Sequence, residues 1–176
     1  IKVDEDTLVT DDIRYFSHQP NRNIKVLVVD GDPGTVSHQS ESFYLERALN
    51  PFSISVSHID PTVSTLAELP LRNLSSFSVV IFANVRELPV GYELKLENFV
   101  LRGGALIFGM GDQVDAKYYN EKLGNLLPVT LEAVQKFKKT HLLFENNQHP
   151  VMRAFSAKTI KEMKEIPFHS IYTIQA

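Results

Sequence analysis

The chain is 176 residues long, with 18 Lys and Arg against 21 Asp and Glu, a formal charge of −3, and 43% hydrophobic residues. That length holds one domain with a core of its own, and the even spread of charge offers neither a basic footprint for nucleic acid nor an acidic tail. With no cysteine there is no disulfide, thiolate metal site or thiolate nucleophile, and no apolar run approaches the roughly 18 residues of a membrane span.

Residues 1–22 scatter short apolar pieces, Leu8-Val9 and Ile13-Arg14-Tyr15-Phe16, among acids and turn formers, the pattern of a lead-in strand and linker. The opening Ile1-Lys2-Val3-Asp4 is neither an initiator methionine nor a signal peptide, so the chain is expected to be a piece of a longer one. Ile24-Lys25-Val26-Leu27-Val28-Val29 is a β-branched run of the kind covered on both faces, halted by Asp30-Gly31-Asp32-Pro33-Gly34. Ser40 then caps a helix with Phe43, Leu45, Ala48 and Leu49 on its apolar face, and Asn50-Pro51 stops it. Phe52 to Ile59 alternates strictly, which predicts an edge strand ended by Asp60-Pro61, and a short helix is expected around Thr65 to Leu74. Phe77 to Ala83 reads as a buried strand closed by Asn84-Val85. Tyr92, Leu96, Phe99 and Val100 fall on one helix face, with Gly103-Gly104 as its stop, and Ala105 to Phe108 predicts another buried strand, broken by Gly109-Met110-Gly111-Asp112. Asp115 caps a helix through Tyr118, Tyr119 and Leu123; beyond Leu126 the period is lost until Ile171-Tyr172-Thr173-Ile174, a last strand.

Strands alternating with helices at this spacing predict a mostly parallel sheet with helices on both faces, and such sheets bind at their carboxyl edge. That edge gathers Asp30 to Gly34, Asn84 to Glu87 and Gly109 to Asp115. The candidate crevice is therefore Asp30, Gly31, Asp32, Asn84, Gly109, Met110, Gly111, Asp112 and Asp115. Its four acids are of the oxygen-donor type that takes Mg²⁺ or Ca²⁺, although Asp and Asn at strand ends more often make turns and helix caps, so no cofactor is expected beyond a divalent cation. Other chemistry finds little footing. Gly109-Met110-Gly111 begins a dinucleotide fingerprint that lacks its third glycine at Val114, and the Asp30 to Gly34 loop has no Lys-Ser/Thr to hold a phosphate. The six histidines have no zinc spacing, no G-x-S-x-G occurs, and Glu41, Glu46 and Arg47, like Lys136, Lys138 and Lys139, read as solvated faces.

Val28-Val29-Asp30-Gly31-Asp32-Pro33, Glu41 to Leu49, and Gly103-Gly104-Ala105-Leu106-Ile107-Phe108-Gly109-Met110-Gly111-Asp112 together resemble a known family. It is the class I glutamine amidotransferase-like domain of large bacterial membrane proteins that carry a BatA-like amino-terminal membrane segment and often a von Willebrand factor A domain. The likeness runs from about Ile24 to Phe155, with Asn84-Val85, Tyr119-Asn120, Leu126-Leu127-Pro128 and His149-Pro150 as further matches. It implies an α/β, flavodoxin-like three-layer sandwich over 23–176 with an incomplete carboxyl-terminal end. It also implies that Asp4 to Phe16 is the last strand of a preceding immunoglobulin-like β-domain. Active members of the superfamily use a Cys in G-x-C-x-G-x-Q with a His and a Glu. On that pattern Ile107 stands at the first Gly, Gly109 at the Cys, Gly111 at the next Gly and Gln113 at the Gln, while His149-Pro150-Val151 has Val where the family has an acid. Gly109 marks a lost nucleophile, and glutamine hydrolysis is not expected.

The resulting expectation is a non-catalytic ligand- or protein-binding module of a membrane-anchored protein, held outside the cytoplasm. Its partners would be other domains of the same protein, a second protein or a small ligand. The alternative is a metal-assisted hydrolase using Asp30, Asp32, Asp112 and Asp115.

Overall fold

The computed structural model describes residues 23–51, 58–144 and 149–175. The expected lead-in strand within 1–22 lies outside them, as do residues 52–57. β1 (Ile24–Asp30) stands where the unbroken β-branched run placed it, and its last five residues are all buried. It is followed by α1 (Glu41–Leu49), β2 (Ile59–Thr65), β3 (Val79–Ala83), α2 (Tyr92–Leu101), β4 (Ala105–Gly109) and α3 (Ala116–Lys122). The four strands form a parallel sheet in the order β2-β1-β3-β4. β5 (Thr130–Thr140) and β6 (Phe168–Gln175) form a separate antiparallel pair, with α4 (Ala157–Glu165) in the connection between them.

The period of two along each strand sorts the core into two sheets of contacts. Leu27, Val29, Val80 and Phe82 face Tyr92, Leu96 and Phe99 of α2 and Tyr119 of α3. Val26, Val28 and Ile81 face the other way, against Leu45 and Leu49 of α1. The Phe108 ring continues the first face, stacked at 5.3 Å on Phe82 and edge-on to Tyr119 at 5.7 Å. The chain is thus a mixed α/β domain whose parallel sheet carries helices on both faces.

Four expectations change. Of the strand read over Phe52 to Ile59, residues 52–57 lie outside the described residues, and the Asp60-Pro61 pair expected to end it lies instead within β2, Ile59–Thr65. The reason lies in the ladder: Ile24 N–H donates to His58 O at 2.6 Å, so Asp60 and Thr62 turn their N–H groups toward β1 and Pro61 turns its nitrogen to the open edge, where no donor is missed. Two 3₁₀ turns, Leu69–Leu71 and Leu74–Ser76, replace the helix expected around Thr65 to Leu74, because Pro70 interrupts the donor series. β4 was expected to be covered on both faces but is an edge strand among the described residues, and only Leu106 and Phe108 turn into the core while Ile107 is 51% exposed. On α2, Val100 points outward, leaving Tyr92, Leu96 and Phe99 as the buried stripe.

The α2 stop is a Schellman turn. Gly103 takes φ +92° and donates to Val100 O at 2.8 Å, while Gly104 donates to Phe99 O at 3.0 Å. The β5–β6 pair is fastened to α3 by Asn120, whose amide brackets Leu131: Nδ2 donates to Leu131 O at 2.7 Å and Oδ1 accepts from Leu131 N–H at 2.9 Å. No helix among the described residues is long and apolar enough to cross a membrane.

Candidate functional site

The carboxyl ends of β1, β3 and β4 meet around Asn84. This residue is 3% exposed and sits at φ +52°, a left-handed conformation that Asn tolerates better than most side chains. The turn aims its amide across the sheet edge. Nδ2 donates to Asp112 Oδ1 at 2.8 Å and to Glu41 Oε1 at 3.1 Å, Oδ1 accepts from Gln113 N–H at 2.9 Å, and the backbone N–H donates to Gly109 O at 3.0 Å. One amide therefore bridges two carboxylates, one from the first turn of α1 and one from the loop after β4.

Two glycines make the convergence possible. A Cβ on Gly31 would lie 2.2 Å from Asn84 O, and Gly31 N–H instead donates to Ala83 O at 2.9 Å, closing the space between β1 and β3. A Cβ on Gly111 would lie 2.3 Å from Asn84 Cγ, so the loop can wrap the amide only with glycine there.

Asp30 is 4% exposed and turns away from this cluster. Its Oδ2 accepts from Ser40 Oγ and, at 2.6 Å, from Ser42 Oγ, and its Oδ1 accepts from Asp32 N–H at 3.1 Å. Ser40 is in turn the N-cap of α1, accepting from Ser42 N–H at 3.2 Å. Asp115 is spent similarly at the start of α3, where Oδ1 accepts from Lys117 N–H at 2.9 Å and Tyr118 N–H at 3.2 Å. The expected crevice residues are therefore close in space but divided: Gly31, Asn84, Gly109, Gly111 and Asp112 join in one cluster, Asp30 and Asp32 in another, and Asp115 caps a helix. Met110 contributes a side chain 37% exposed. Among the described residues no three His, Asp or Glu side chains are gathered where they could hold a metal ion.

Gly109 is the last residue of β4, and its φ lies outside the left-handed region. Residues 110–115 intervene before α3, so no strand runs directly into a helix there. A Cβ at Gly109 would have only ordinary contacts, 3.4 Å from Phe82 O. Compared with protein-family models, curated proteins and solved structures, the chain matches none.

Three participants were not expected. Glu41, read as a solvated helix position, is a partner of Asn84, and its place beside the Ser40 cap was the available signal. Gln113 contributes its backbone, which no side-chain pattern announces. Tyr172 reaches from β6 to donate to Val114 O at 3.0 Å, tying the β5–β6 pair to the loop after β4. Burial, and then the nearby charges of Asp112 and Asp115, raise its phenol above the usual value. A shallow depression of about 440 Å³ opens beside the cluster, between Pro33-Gly34 and α1, with Asp30, Ser40, Ser42 and Arg47 in its wall. The Arg47 guanidinium lies over the Phe43 ring there, 3.5 Å from its centroid.

Proposed function

We propose that the chain is a non-catalytic binding module built on a class I glutamine amidotransferase-like scaffold, part of a membrane-anchored bacterial protein and held outside the cytoplasm. The observation that carries the reading is Gly109: the place of the nucleophile holds no side chain, lies in plain β-backbone and is followed by a loop. An attacking thiolate has no source elsewhere, since the chain has no cysteine. The strand order β2-β1-β3-β4 supports the flavodoxin-like assignment, because it matches the first four strands of that fold's 2-1-3-4-5 order. The carboxyl edge, where active relatives work, is here a scaffold whose polar groups satisfy one another, leaving the loop surfaces around Asp32 and Met110 to meet a ligand, a second protein or another domain of the same chain.

The metal-assisted hydrolase finds no comparable support, because Asp30 and Asp115 are engaged with hydroxyl and backbone donors. An ammonia-release assay with glutamine and simple amides tests the proposal. No turnover is expected from the protein, nor from Gly109→Cys, which would restore a thiol without a strand-to-helix elbow. Turnover by the unaltered protein that Asp112→Asn abolishes would overturn it.

A further inference from the structure

At the opposite end of the sheet, where β3 and β4 begin, a cavity of about 810 Å³ lies between the turn preceding β3 and the side of α2. The half-buried Leu74 and Phe77, with the little of Tyr92 and Phe99 that stays open (2% and 6%), give it an apolar, ring-lined floor, and Arg72, Lys95 and Arg102 stand around it with no carboxylate in the lining. In a chain of net charge −3 this is a local reversal of sign.

The cations differ in how they are held. Arg72 is fixed by Glu68, 3.4 Å away, and by Nε donation to Ser64 Oγ at 3.1 Å. Lys95 Nζ lies 5.0 Å from the centroid of the Tyr92 ring. Among the described residues neither Lys95 nor Arg102 has a carboxylate partner. The acids of α2 are engaged elsewhere, Glu93 with the Tyr118 hydroxyl at 2.9 Å and Glu97 with the Asn125 amide at 3.4 Å. The negative end of α2 would ordinarily oppose an anion here. Its last carbonyls are instead occupied: Phe99 O and Val100 O accept from the Schellman turn, and Asn98 O accepts from Arg102 N–H at 3.2 Å.

We propose that this cavity binds a small phosphomonoester carried on a flat apolar group, with Arg102 and Lys95 on the phosphate and Phe77 and Leu74 against the apolar part, next to Phe99 and Tyr92. The Arg102 guanidinium suits the tetrahedral dianion through paired N–H donors, the Lys95 ammonium adds a second positive charge, and the ring-lined floor rewards a planar body. This site is independent of the carboxyl edge and of its proposed role.

Titration of the folded protein with phenyl phosphate, followed by calorimetry and by the proton resonances of Phe99 and Tyr92, is the test. Saturable binding that moves those resonances and weakens with added salt is expected. Lys95→Gln and Arg102→Gln, both at exposed positions, should each weaken it about tenfold, the size of one charge-assisted hydrogen bond, while leaving the melting temperature unchanged. No movement of the two rings at millimolar phenyl phosphate would overturn the proposal. So would undiminished binding in the Lys95→Gln, Arg102→Gln double variant. Equal affinity for inorganic phosphate would overturn the apolar half, and equal affinity for phenol the anionic half.

Discussion

Asn84 is polar, buried and in a backbone region where most side chains are strained, yet both polar atoms of its side chain and its backbone N–H have partners elsewhere in the chain. The interaction depends on what is missing next to it. Gly111→Ala would drive a Cβ into the amide at 2.3 Å, and neither the buried Asn84 nor its two carboxylate partners can move without giving up hydrogen bonds. A loss of about 3 kcal/mol is expected by urea denaturation, at the upper end for overpacking. Gly109→Ala, two residues earlier, meets ordinary contacts at 3.4 Å and an ordinary backbone. That change should be neutral or stabilising by about 0.5 kcal/mol, through the lost freedom of the unfolded chain. Equal losses at the two glycines would contradict the placement of the loop around Asn84.

Among the elements, α2 carries both the core stripe and part of the floor of the basic cavity, and its end is set by two glycines doing different jobs. At Gly103 no atom lies within 4 Å of an added Cβ and φ is +92°, so Gly103→Ala should cost the backbone term alone, about 1 kcal/mol. At Gly104 the Cβ would meet the Phe99 ring at 2.4 Å, and Gly104→Ala should cost about 2 to 3 kcal/mol. Adding Phe99→Leu to each should recover part of the loss only at Gly104, so a double-mutant cycle separates the two. These elements were legible because their signals are local: an unbroken apolar run for β1, a stripe with a glycine stop for α2, and Ser40 and Asp115 as caps. The passage of β2 through Asp60-Pro61 was not legible, because a proline that would break a central strand is harmless on an edge. β5 left no period to read, since nearly all of it is exposed, whereas α4 had a signal that went unused in Ser156, which caps it, and in Ile160 and Met163 on its partly buried side. Which loops meet at the carboxyl edge was legible, but neither the full membership of the Asn84 cluster nor its wiring was. Asn84 and Glu41 are 43 residues apart, and nothing local to either shows that one amide would bridge the start of α1 and the loop after β4 while Asp30 turned to a pair of serines.

For the whole molecule, the tyrosines tie distant parts together and set a limit at alkaline pH. The Tyr119 hydroxyl donates to Val85 O at 2.7 Å and that of Tyr92 to Leu69 O at 3.0 Å, while Tyr118 joins Leu88 N–H to Glu93. Burial raises all of these phenols above 10.0, and Tyr118 is pushed up to about 12. Because the folded form keeps its phenolic protons while the unfolded chain loses them, stability is fully present below pH 10 and falls as pH rises toward about 12. Melting temperatures across that range, together with ultraviolet phenolate absorbance, should show titration and unfolding coinciding. Tyr119→Phe should lower stability at neutral pH by about 1 kcal/mol, for the lost hydrogen bond, and make the alkaline decline shallower. A decline unchanged in that variant would contradict the assignment.

The one-sided pairing of β4 has a consequence for the timing of amide exchange. Ala105 N–H donates inward to Ser78 O at 3.0 Å, so Ile107 and Gly109 share its direction, and the amides of Leu106 and Phe108 turn to the open side. The residues whose side chains are anchored in the core are thus the ones whose backbone protons meet solvent. Deuterium should enter β4 in alternation, early at Leu106 and Phe108 and late at Ala105 and Ile107, the reverse of the order that side-chain exposure alone would give.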